Sequence, residues 1–221
     1  MKKYVIIVAG GSGTRMKSEV PKQFMELKGQ PVLMRTMQKF SDVYPDIHII
    51  VVLAKELEES WKQLCIQYNF KLQHEVTGGG ETRYHSVKNG LQLVPGSACV
   101  GIHDAARPLV SESTIRAAFE KAISDGNASP VVPVTDSIRF LKDKENCALD
   151  RTKYVVVQTP QCFHADLIKK AFEKPYRPEF TDDASVLEAF GEKINLVEGN
   201  PENIKITTPQ DMVVAEVLMG N

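Results

Sequence analysis

Short runs of apolar, largely β-branched residues alternate along the chain with longer segments of helical periodicity. The apolar runs cover residues 5–9, 47–53, 72–76, 99–103 and 128–133, and the helical segments cover 32–40, 55–68, 82–93 and 111–124. Strands that are apolar throughout, rather than at every second position, are typical of a sheet buried on both faces. The alternation therefore predicts an α/β fold with a mainly parallel central sheet flanked by helices, and with ligands at the carboxyl ends of the strands.

Residues 136–154 depart from this alternation and are interpreted as a β-hairpin. A strand-like stretch at 137–141 is followed by a polar turn at 142–146 and by a return strand that carries Arg151. An isolated two-stranded ribbon is marginally stable in water, so its apolar residues predict a projecting arm that covers a partner. A solvated surface hairpin is the alternative. Since no repeat or low-complexity linker divides the chain, residues 1–221 are predicted to form one domain.

Composition excludes several classes of protein. The chain has 221 residues with a formal net charge of -1, which argues against general nucleic-acid binding. No apolar run reaches the roughly 18 to 20 residues of a membrane span. The N-terminus resembles a signal peptide, but its apolar run ends in a loop of glycine and arginine instead of a cleavage site. We therefore expect a cytoplasmic protein without membrane or nucleic-acid partners. The four cysteines form no CxxC pair, so neither a zinc site nor a disulfide framework is predicted.

The first apolar run leads into a glycine-rich loop, Gly10-Gly11-Ser12-Gly13-Thr14-Arg15-Met16, which is followed by Pro21-Lys22-Gln23. Glycines let backbone N–H groups approach phosphate oxygens, and Arg15 and Lys22 add fixed positive charge. The loop lacks the Gly-Lys-Ser/Thr of a P-loop, and Met16 stands where a dinucleotide fingerprint requires its third glycine. A triphosphate site is predicted, with a plain turn carrying exposed basic residues as the alternative.

Two further loops follow predicted strands. Residues 77–86 contain three consecutive glycines that could lie close to a base or ribose, with Arg83 and Ser86 on the first turn of a helix. Residues 103–108 read His-Asp-Ala-Ala-Arg-Pro. A carboxylate at a strand end beside a polyphosphate is suited to Mg²⁺, so Asp104 is a candidate metal ligand. The alternative is a structural turn in which Asp104 pairs with Arg107.

Six motifs in order together resemble the 2-C-methyl-D-erythritol 4-phosphate cytidylyltransferase family of the non-mevalonate isoprenoid pathway. The first motif is Gly10-Gly11-Ser12-Gly13-Thr14-Arg15-Met16 with Pro21-Lys22-Gln23. The other five are Gly79-Gly80-Glu81-Thr82-Arg83 with Ser86, His103-Asp104-Ala105-Ala106-Arg107-Pro108, Thr159-Pro160-Gln161, Thr181-Asp182-Asp183-Ala184-Ser185 and Asn203-Ile204-Lys205-Ile206-Thr207. The resemblance implies a Rossmann-like GT-A nucleotidyltransferase fold. It also implies a reaction of CTP with a polyol phosphate that gives a CDP-alcohol and pyrophosphate.

The resemblance assigns roles to individual residues. It implies catalytic roles for Arg15, Lys22, Arg151 and Lys205, and nucleotide binding by Ala9, Gly10, Gly11, Gly13, Gly80, Glu81 and Ser86. It implies substrate binding by Asp104, Ala105, Arg107, Ser137, Arg151, Thr159, Thr181 and Lys205. Mg²⁺ or another divalent cation would bind at Asp104. Members of the family are homodimers whose hairpin arms complete each other's substrate pocket, so a homodimer through residues 136–154 is expected.

The chain departs from the family pattern at two positions, and two rival interpretations remain. Glu81 stands where the family often has Asp, and Ser137 stands where it often has Thr. A related class, ribitol 5-phosphate cytidylyltransferase, typically has Ser-Val where this chain has Ala105-Ala106. A catalytically silent nucleotide-binding protein is the other alternative. The retention of the basic residues and of Asp104 argues against it.

The proposed chemistry also explains why the sequence contains no nucleophile motif. A phosphate monoester is already an anionic nucleophile, so the enzyme does not have to supply one.

Overall fold

An eight-stranded sheet runs through the centre of the molecule, for which a computed structural model describes residues 1–10, 20–143 and 145–220. The strands are β1 (Lys3–Val8), β2 (Glu26–Leu27), β3 (Gln30–Pro31), β4 (His48–Leu53), β5 (Glu75–Gly78), β6 (Cys99–Asp104), β7 (Asn127–Pro133), β8 (Arg139–Lys142), β9 (Glu145–Ala148), β10 (Val155–Val157), β11 (Gln161–His164) and β12 (Leu196–Glu198). The helices are α1 (Val32–Val43), α2 (Glu58–Gln67), α3 (Arg83–Gln92), α4 (Glu112–Asp125), α5 (Ala165–Ala171), α6 (Asp183–Phe190) and α7 (Pro209–Leu218).

The strand order in the sheet is β10-β7-β11-β6-β1-β4-β5, with β12 beside β7. β1 lies between β4 and β6 and is parallel to both, as β5 is to β4 and β12 is to β7. β11 is antiparallel to both of its neighbours, and β10 is antiparallel to β7. The predicted mainly parallel sheet is confirmed, and the antiparallel strands are a feature that the apolar pattern did not indicate.

Both faces of the sheet are covered by apolar helix surfaces. Val5 and Ile7 of β1 face a cluster that includes residues of α1, α2 and α4, whereas Tyr4 and Ile6 face a second cluster with α3, α5 and α6. Because successive side chains of a strand point to opposite faces, a strand covered on both faces is apolar at every position. This explains the continuous apolar runs in the sequence. α7 belongs to a third, smaller cluster with Leu27 and Val32.

Two predicted boundaries were wrong. The strand predicted at 72–76 is β5, which starts at Glu75 because the pairing with β4 begins there, at Ile50. Before it, His74 bonds with the Leu72 carbonyl and accepts from the Trp61 indole, so this stretch packs on α2 instead of joining the sheet. The helix predicted at 55–68 begins with a 3-10 turn, Lys55–Leu57, before α2.

The hairpin is present, but two of its details were predicted incorrectly. β8 and β9 pair with each other, and the pairing reaches Lys142 and Glu145, so the turn is shorter than the predicted 142–146. Arg151 does not lie on the return strand: it opens a 3-10 turn, Arg151–Lys153. The Asp150 side chain caps this turn by accepting from the Thr152 backbone N–H, which ends the extended run. In the described part of the chain no helix is long and apolar enough to cross a membrane.

Candidate active site

A cleft of about 420 Å³ lies at the carboxyl ends of β1 and β6, as expected for a ligand site in an α/β sheet. We refer to it as the larger cleft, to distinguish it from a smaller cleft of about 280 Å³ that adjoins it. It is lined by Val8, Ala9 and Gly10 after β1, by Lys22 and Gln23, by Gly80, Glu81, Thr82, Arg83 and Ser86 around the start of α3, by Asp104, Ala105 and Ala106 after β6, and by Lys205. Loops that are distant in sequence therefore meet in one place.

The start of α3 is built around a close backbone contact. The Gly80 N–H donates to Ser86 Oγ over 3.0 Å, and Ser86 Oγ donates to the Thr82 carbonyl over 3.0 Å. A Cβ at position 80 would lie 2.4 Å from His85 Cβ, so a side chain there would displace the helix. Only glycine permits this approach.

Two side chains connect the loop at residues 20–25 to the rest of the larger cleft. Gln23 is buried, and its Nε2 donates to the Ala9 carbonyl over 2.8 Å, which fixes this loop against the end of β1. Lys22 Nζ donates to the Ile206 carbonyl over 3.3 Å. Lys22 is thereby held next to the segment that carries Lys205.

A smaller cleft of about 280 Å³ adjoins the first. It is lined by Arg83, Asp104, Arg107, Val157, Gln158, Thr159, Gln161, Thr181, Asp182 and Lys205. Arg83, Asp104 and Lys205 line both clefts. These three side chains form a shared wall, and molecules bound in the two clefts would approach each other there.

Asp104, the last residue of β6, is surrounded by cations. Its Oδ1 lies 3.3 Å from Arg83 Nε, and its Oδ2 lies 2.8 Å from Lys205 Nζ and 3.6 Å from Arg107 Nε. Burial alone would raise the pKa of this carboxyl, but the neighbouring cations outweigh burial and hold the pKa well below its usual range. Asp104 is therefore ionised at neutral pH. Its pair with Arg107, which the sequence allowed as a structural alternative, is one part of a larger cluster.

Arg83, the first residue of α3, divides its guanidinium between two carboxylates. Nη1 and Nη2 donate to Asp183 over 2.9 and 2.7 Å, and Nε donates to Asp104 over 3.3 Å. Burial opposes the charge, but the two carboxylates raise the pKa of Arg83 above its ordinary value. Asp183 is the first residue of α6, where the helix N-terminus also favours a negative charge. Arg83 thus connects the starts of α3 and α6 to the end of β6.

The segment of residues 199–206 positions Lys205. Asn203 is fully buried, and its Nδ2 donates to the Thr159 carbonyl over 2.9 Å. Its own carbonyl accepts from Arg107 Nη1 over 2.7 Å. These bonds hold an irregular segment against the β6 loop, so that Lys205 reaches the shared wall.

Most of the candidate residues from the sequence lie at the two clefts. Ala9, Gly10, Lys22, Gly80, Glu81, Ser86, Asp104, Ala105, Arg107, Thr159, Thr181 and Lys205 line one or both of them. Ser137 and Arg151 are exposed and line neither cleft, and Arg151 donates to the Thr135 carbonyl. Gly11, Gly13 and Arg15 lie outside the described residues.

Sequence reasoning placed no site role on several residues that hold the clefts together. They are Gln23, Arg83, Asn203, Gln161 and Asp183. Gln161 accepts from the backbone N–H of Asp183 over 3.0 Å and donates to Asp182 over 2.7 Å, which fixes the start of α6 in the smaller cleft. All five lie within motifs of the family resemblance, and that was the available signal.

Comparisons with known proteins agree along the whole chain. A model of the family described as 2-C-methyl-D-erythritol 4-phosphate cytidylyltransferase (IspD) matches residues 3–221. A protein with that name from Bacteroides fragilis is 49% identical over 219 residues, which cover 99% of this chain and 100% of the relative.

Solved structures of two further proteins have the same architecture. The 4-diphosphocytidyl-2C-methyl-D-erythritol synthase of Anaerococcus prevotii is similar with a TM-score of 0.84 and 27% identity, covering 100% of this chain and 99% of its own. The 2-C-methyl-D-erythritol 4-phosphate cytidylyltransferase of Thermus thermophilus has a TM-score of 0.81 and 31% identity, with 99% and 98% covered. These neighbours confirm the α/β nucleotidyltransferase fold. The chain belongs to the 2-C-methyl-D-erythritol 4-phosphate cytidylyltransferase family.

Proposed function

We propose that this chain catalyses the reaction of its family. It converts CTP and 2-C-methyl-D-erythritol 4-phosphate to 4-diphosphocytidyl-2-C-methyl-D-erythritol and pyrophosphate. We divide the site into a nucleotide part and a polyol part. This division is supported by the shared wall of Arg83, Asp104 and Lys205 between two clefts of about 420 and 280 Å³. The larger cleft has the volume of a small-ligand pocket and accommodates the nucleotide, and the smaller cleft accommodates the polyol phosphate.

In the reaction, an oxygen of the substrate phosphate attacks the α-phosphorus of CTP. A new P–O bond forms, the bond to the β-phosphate breaks, and pyrophosphate leaves with the electron pair. The attacking oxygen carries no proton at neutral pH, so the enzyme requires no general base. Its task is to align two anions that repel each other and to neutralise the charge that develops on pyrophosphate.

On the nucleotide side, the base and ribose are held by Ala9, Gly10, Gly11, Gly80, Glu81 and Ser86. Gly13 also binds the nucleotide, and Lys22 and Arg15 stabilise the transition state at the triphosphate. Support for this role comes from the position of Lys22, whose ammonium group contacts the Ile206 carbonyl beside Lys205. Lys22 is thereby held next to the segment that carries Lys205, and both lysines line the larger cleft in which the reacting phosphates would meet.

On the polyol side, Asp104, Ala105, Arg107, Thr159 and Thr181 bind the substrate, while Lys205 holds its phosphate at the shared wall. Lys205 Nζ lies 2.8 Å from Asp104 Oδ2, so the carboxylate orients the ammonium group without enclosing it. The side chain of Lys205 remains 38% exposed, which leaves it accessible to a second anion.

We further propose that Mg²⁺, or another divalent cation, accompanies CTP. In the described part of the chain, no cluster of three or more His, Cys, Asp or Glu side chains is placed to hold a metal. Mg²⁺ usually binds through one or two carboxylates together with substrate phosphates and water. Both oxygens of Asp104 are in ion pairs, so this carboxylate would contribute to an ion held mainly by the triphosphate and would not hold one alone. When bound, the ion would neutralise charge on the phosphates.

The metal proposal is tested by the Mg²⁺ concentration that gives half-maximal activity. Asp104→Asn is expected to raise it, since an amide is a weaker ligand for Mg²⁺ than a carboxylate. Glu192→Gln removes an exposed carboxylate that lines neither cleft and is the control, with little change expected in the Mg²⁺ concentration. An unchanged Mg²⁺ requirement in Asp104→Asn would mean that Asp104 does not bind the metal and that its role is limited to its ion pairs.

The hairpin supports a proposal about assembly. We propose that residues 1–221 form one domain, and that residues 136–154 form an arm which reaches a second copy and brings Ser137 and Arg151 to that copy's smaller cleft. Phe140 and Leu141 on the arm are 52% and 75% exposed, and the valines of β10 are also exposed. Apolar side chains in such a ribbon are typical of an interface.

The remaining expectations from the sequence concern the cellular setting. We propose a cytoplasmic location, where CTP is available, and no nucleic-acid or membrane partner. The formal net charge of -1 supports the absence of a general nucleic-acid surface.

The assay that tests the proposed function measures pyrophosphate release from CTP. The polyol phosphates are offered separately: 2-C-methyl-D-erythritol 4-phosphate in one arm and ribitol 5-phosphate in the other. We expect release in the first arm only, with the CDP-alcohol identified by mass. Release only with ribitol 5-phosphate would contradict the proposed substrate, and release with neither would contradict the proposed reaction.

A further inference from the structure

The side chain of Gln158 binds the irregular segment of residues 199–206, which carries Lys205. Gln158 is only 4% exposed. Its Nε2 donates to the Asn200 carbonyl over 2.9 Å, and its Oε1 accepts from the Asn200 backbone N–H over 3.3 Å. The amide thus bonds to both backbone groups of one residue, as a residue of a neighbouring strand would. It takes the place of a strand where the chain leaves β12.

The contact between Gln158 and this segment requires glycine at position 199. The backbone N–H groups of Gln158 and Gly199 donate to the carbonyls of Pro130 and Val131 in β7, each over 2.8 Å. Both residues are therefore held side by side. A Cβ at position 199 would lie 2.4 Å from Gln158 Oε1, so a side chain there would push the amide out of its place.

Gln158 also orients Asn203, two residues before Lys205. The Nδ2 of Asn203 donates to Gln158 Oε1 over 3.2 Å and to the Thr159 carbonyl over 2.9 Å. In the described part of the chain, Asn203 Oδ1 has no hydrogen-bond partner. The orientation of this fully buried side chain therefore depends on the two bonds of Nδ2, and Gln158 accepts one of them.

We propose that Gln158 is a positioning residue for Lys205, which acts by fixing the segment of residues 199–206. The proposal rests on the proposed function, because it concerns the ammonium group assigned to the substrate phosphate. Gln158 lines the smaller cleft, but both lone pairs of its Oε1 and one N–H of its Nε2 are bound within the protein. Its influence on the reaction is therefore exerted through the segment to which these atoms bond.

Lys205 lies between two fixed points of this segment. The first is Asn203, and the second is Ile206, whose N–H donates to the Ala106 carbonyl over 2.8 Å. Without the Gln158 amide the first point is held less firmly, and the ammonium group of Lys205 is less precisely placed. A misplacement of about 1 Å at an active site can lower a rate by about a hundredfold, so a small shift is sufficient.

The proposal is tested by a double-mutant cycle with Lys205. Gln158→Met keeps the length of the side chain and removes its hydrogen bonds. In the wild-type background it should lower kcat/KM for the polyol phosphate about tenfold, the size of one neutral hydrogen bond. In the Lys205→Met background it should lower kcat/KM less than about twofold, because the group that it positions is absent. A further tenfold loss in that background would show that Gln158 acts independently of Lys205 and would overturn the proposal.

Asn127→Leu is the matched control, since Asn127 is another buried amide that binds the chain close to β12. Its Nδ2 donates to the Lys193 carbonyl over 2.9 Å, its Oδ1 accepts from the Asn195 N–H over 2.9 Å, and it lines neither cleft. Both variants should lose stability in thermal unfolding, because each leaves backbone groups without a partner. Only Gln158→Met should lose activity. If the two variants lower kcat/KM alike, the loss follows stability alone and the proposal fails.

Gly199→Ala tests the same contact from the other side and keeps the test decisive if Gln158→Met does not fold. Gly199 lines neither cleft, and the added methyl group would displace the flexible end of Gln158. Its kcat/KM should also fall, and the loss should again disappear in the Lys205→Met background. Gly96→Ala, whose Cβ would meet its nearest neighbour at 3.8 Å, is the control and should retain normal activity.

Unchanged kcat/KM in Gly199→Ala would contradict the proposal. Failure of the proposed function is distinct, because the wild-type protein would then release no pyrophosphate from CTP with 2-C-methyl-D-erythritol 4-phosphate.

Discussion

At the scale of single residues, the two clefts of the site share a small set of side chains. Arg83, Asp104 and Lys205 line both, and Asp104 holds the two cations on either side of itself at 3.3 and 2.8 Å. A carboxylate between two cations keeps them apart and oriented before any substrate is present. Preorganisation of this kind lowers the cost of reorganising charges during the reaction.

Lys205→Met is expected to lower kcat/KM by about 10² to 10³, the range seen when one preorganised donor is removed from a developing anion. The fold should persist, because the Lys205 side chain is partly exposed and Asp104 retains Arg83 and Arg107. Steady-state kinetics alongside a thermal melting curve measure both effects. Lys193→Met, which removes an exposed lysine outside the two clefts, is the control. Normal turnover in folded Lys205→Met would contradict the assigned role.

Arg83→Lys tests geometry instead of charge. Lysine keeps the positive charge but cannot donate to both oxygens of Asp183 and to Asp104 at once. Because Asp183 is almost fully buried, we expect roughly 1–3 kcal/mol less stability in urea unfolding and a clear drop in kcat.

The matched control is Arg116→Lys on α4, whose side chain is 42% exposed; it pairs with Glu112 over 2.8 Å and also donates to the Val43 carbonyl over 3.3 Å. Exposed pairs contribute little to stability, so this variant should be nearly neutral. If Arg83→Lys and Arg116→Lys behave alike, then the bidentate pair has no special role.

At the scale of elements, the start of α3 forms the wall of the larger cleft. A methyl group at position 80 would collide with His85, so Gly80→Ala should displace the first turn of α3 and raise KM for CTP. Gly78→Ala is the control, because nothing lies within 4 Å of a Cβ at that position. Initial rates over a CTP series decide the matter. Equal KM values in the two variants would mean that the Gly80 contact does not shape the nucleotide site.

The sequence predicted those elements whose residues are apolar because they are buried. β1, β4 and β6 are apolar at nearly every position because helices cover both faces of the sheet. β11 was not predicted, since it is short and begins with a buried glutamine. Gln161 tolerates burial because its amide bonds to the start of α6, and a linear pattern does not show that contact.

The site was predictable only in part for a similar reason. The loops after strands identify which residues gather, because parallel strands end at one edge of the sheet. The pair of Arg83 and Asp183 joins residues 100 positions apart, and nothing in either local sequence specifies it. The position of Arg151 depends on a cap by Asp150 that the strand-like pattern did not indicate.

At the scale of the whole molecule, the two catalytic cations proposed for the polyol side come from different places. Lys205 lies at the shared wall, but Arg151 is exposed and outside both clefts of its own chain. If the arm reaches a second copy, one active site takes residues from two chains. The location of Arg151 is then a consequence of assembly.

Mixing Arg151→Ala chains with Lys22→Ala chains should therefore restore activity. In a heterodimer, one site would combine an intact Lys22 with the Arg151 of the other copy, while the second site would lack both. Random mixing gives heterodimers at roughly half of the population, so recovery should approach about a quarter of wild-type activity in a two-fold dimer with independent sites.

Co-refolding the two variants allows exchange, and native mass measurement confirms the heterodimer. Each variant refolded alone is the control, with activity near background expected. If heterodimers form and show no activity above these controls, then Arg151 acts within its own chain or has no role in the reaction.

The position of β11 between β6 and β7 has a consequence for how the protein is synthesised. β6 ends at Asp104, but the strand that completes its edge begins at Gln161, after the whole hairpin. A growing chain therefore carries β1, β4, β5 and β6 with an open edge until more than fifty further residues have left the ribosome. Unpaired edges invite pairing with other chains. The emerging chain is thus most vulnerable to aggregation in this interval, and binding by chaperones should be strongest there.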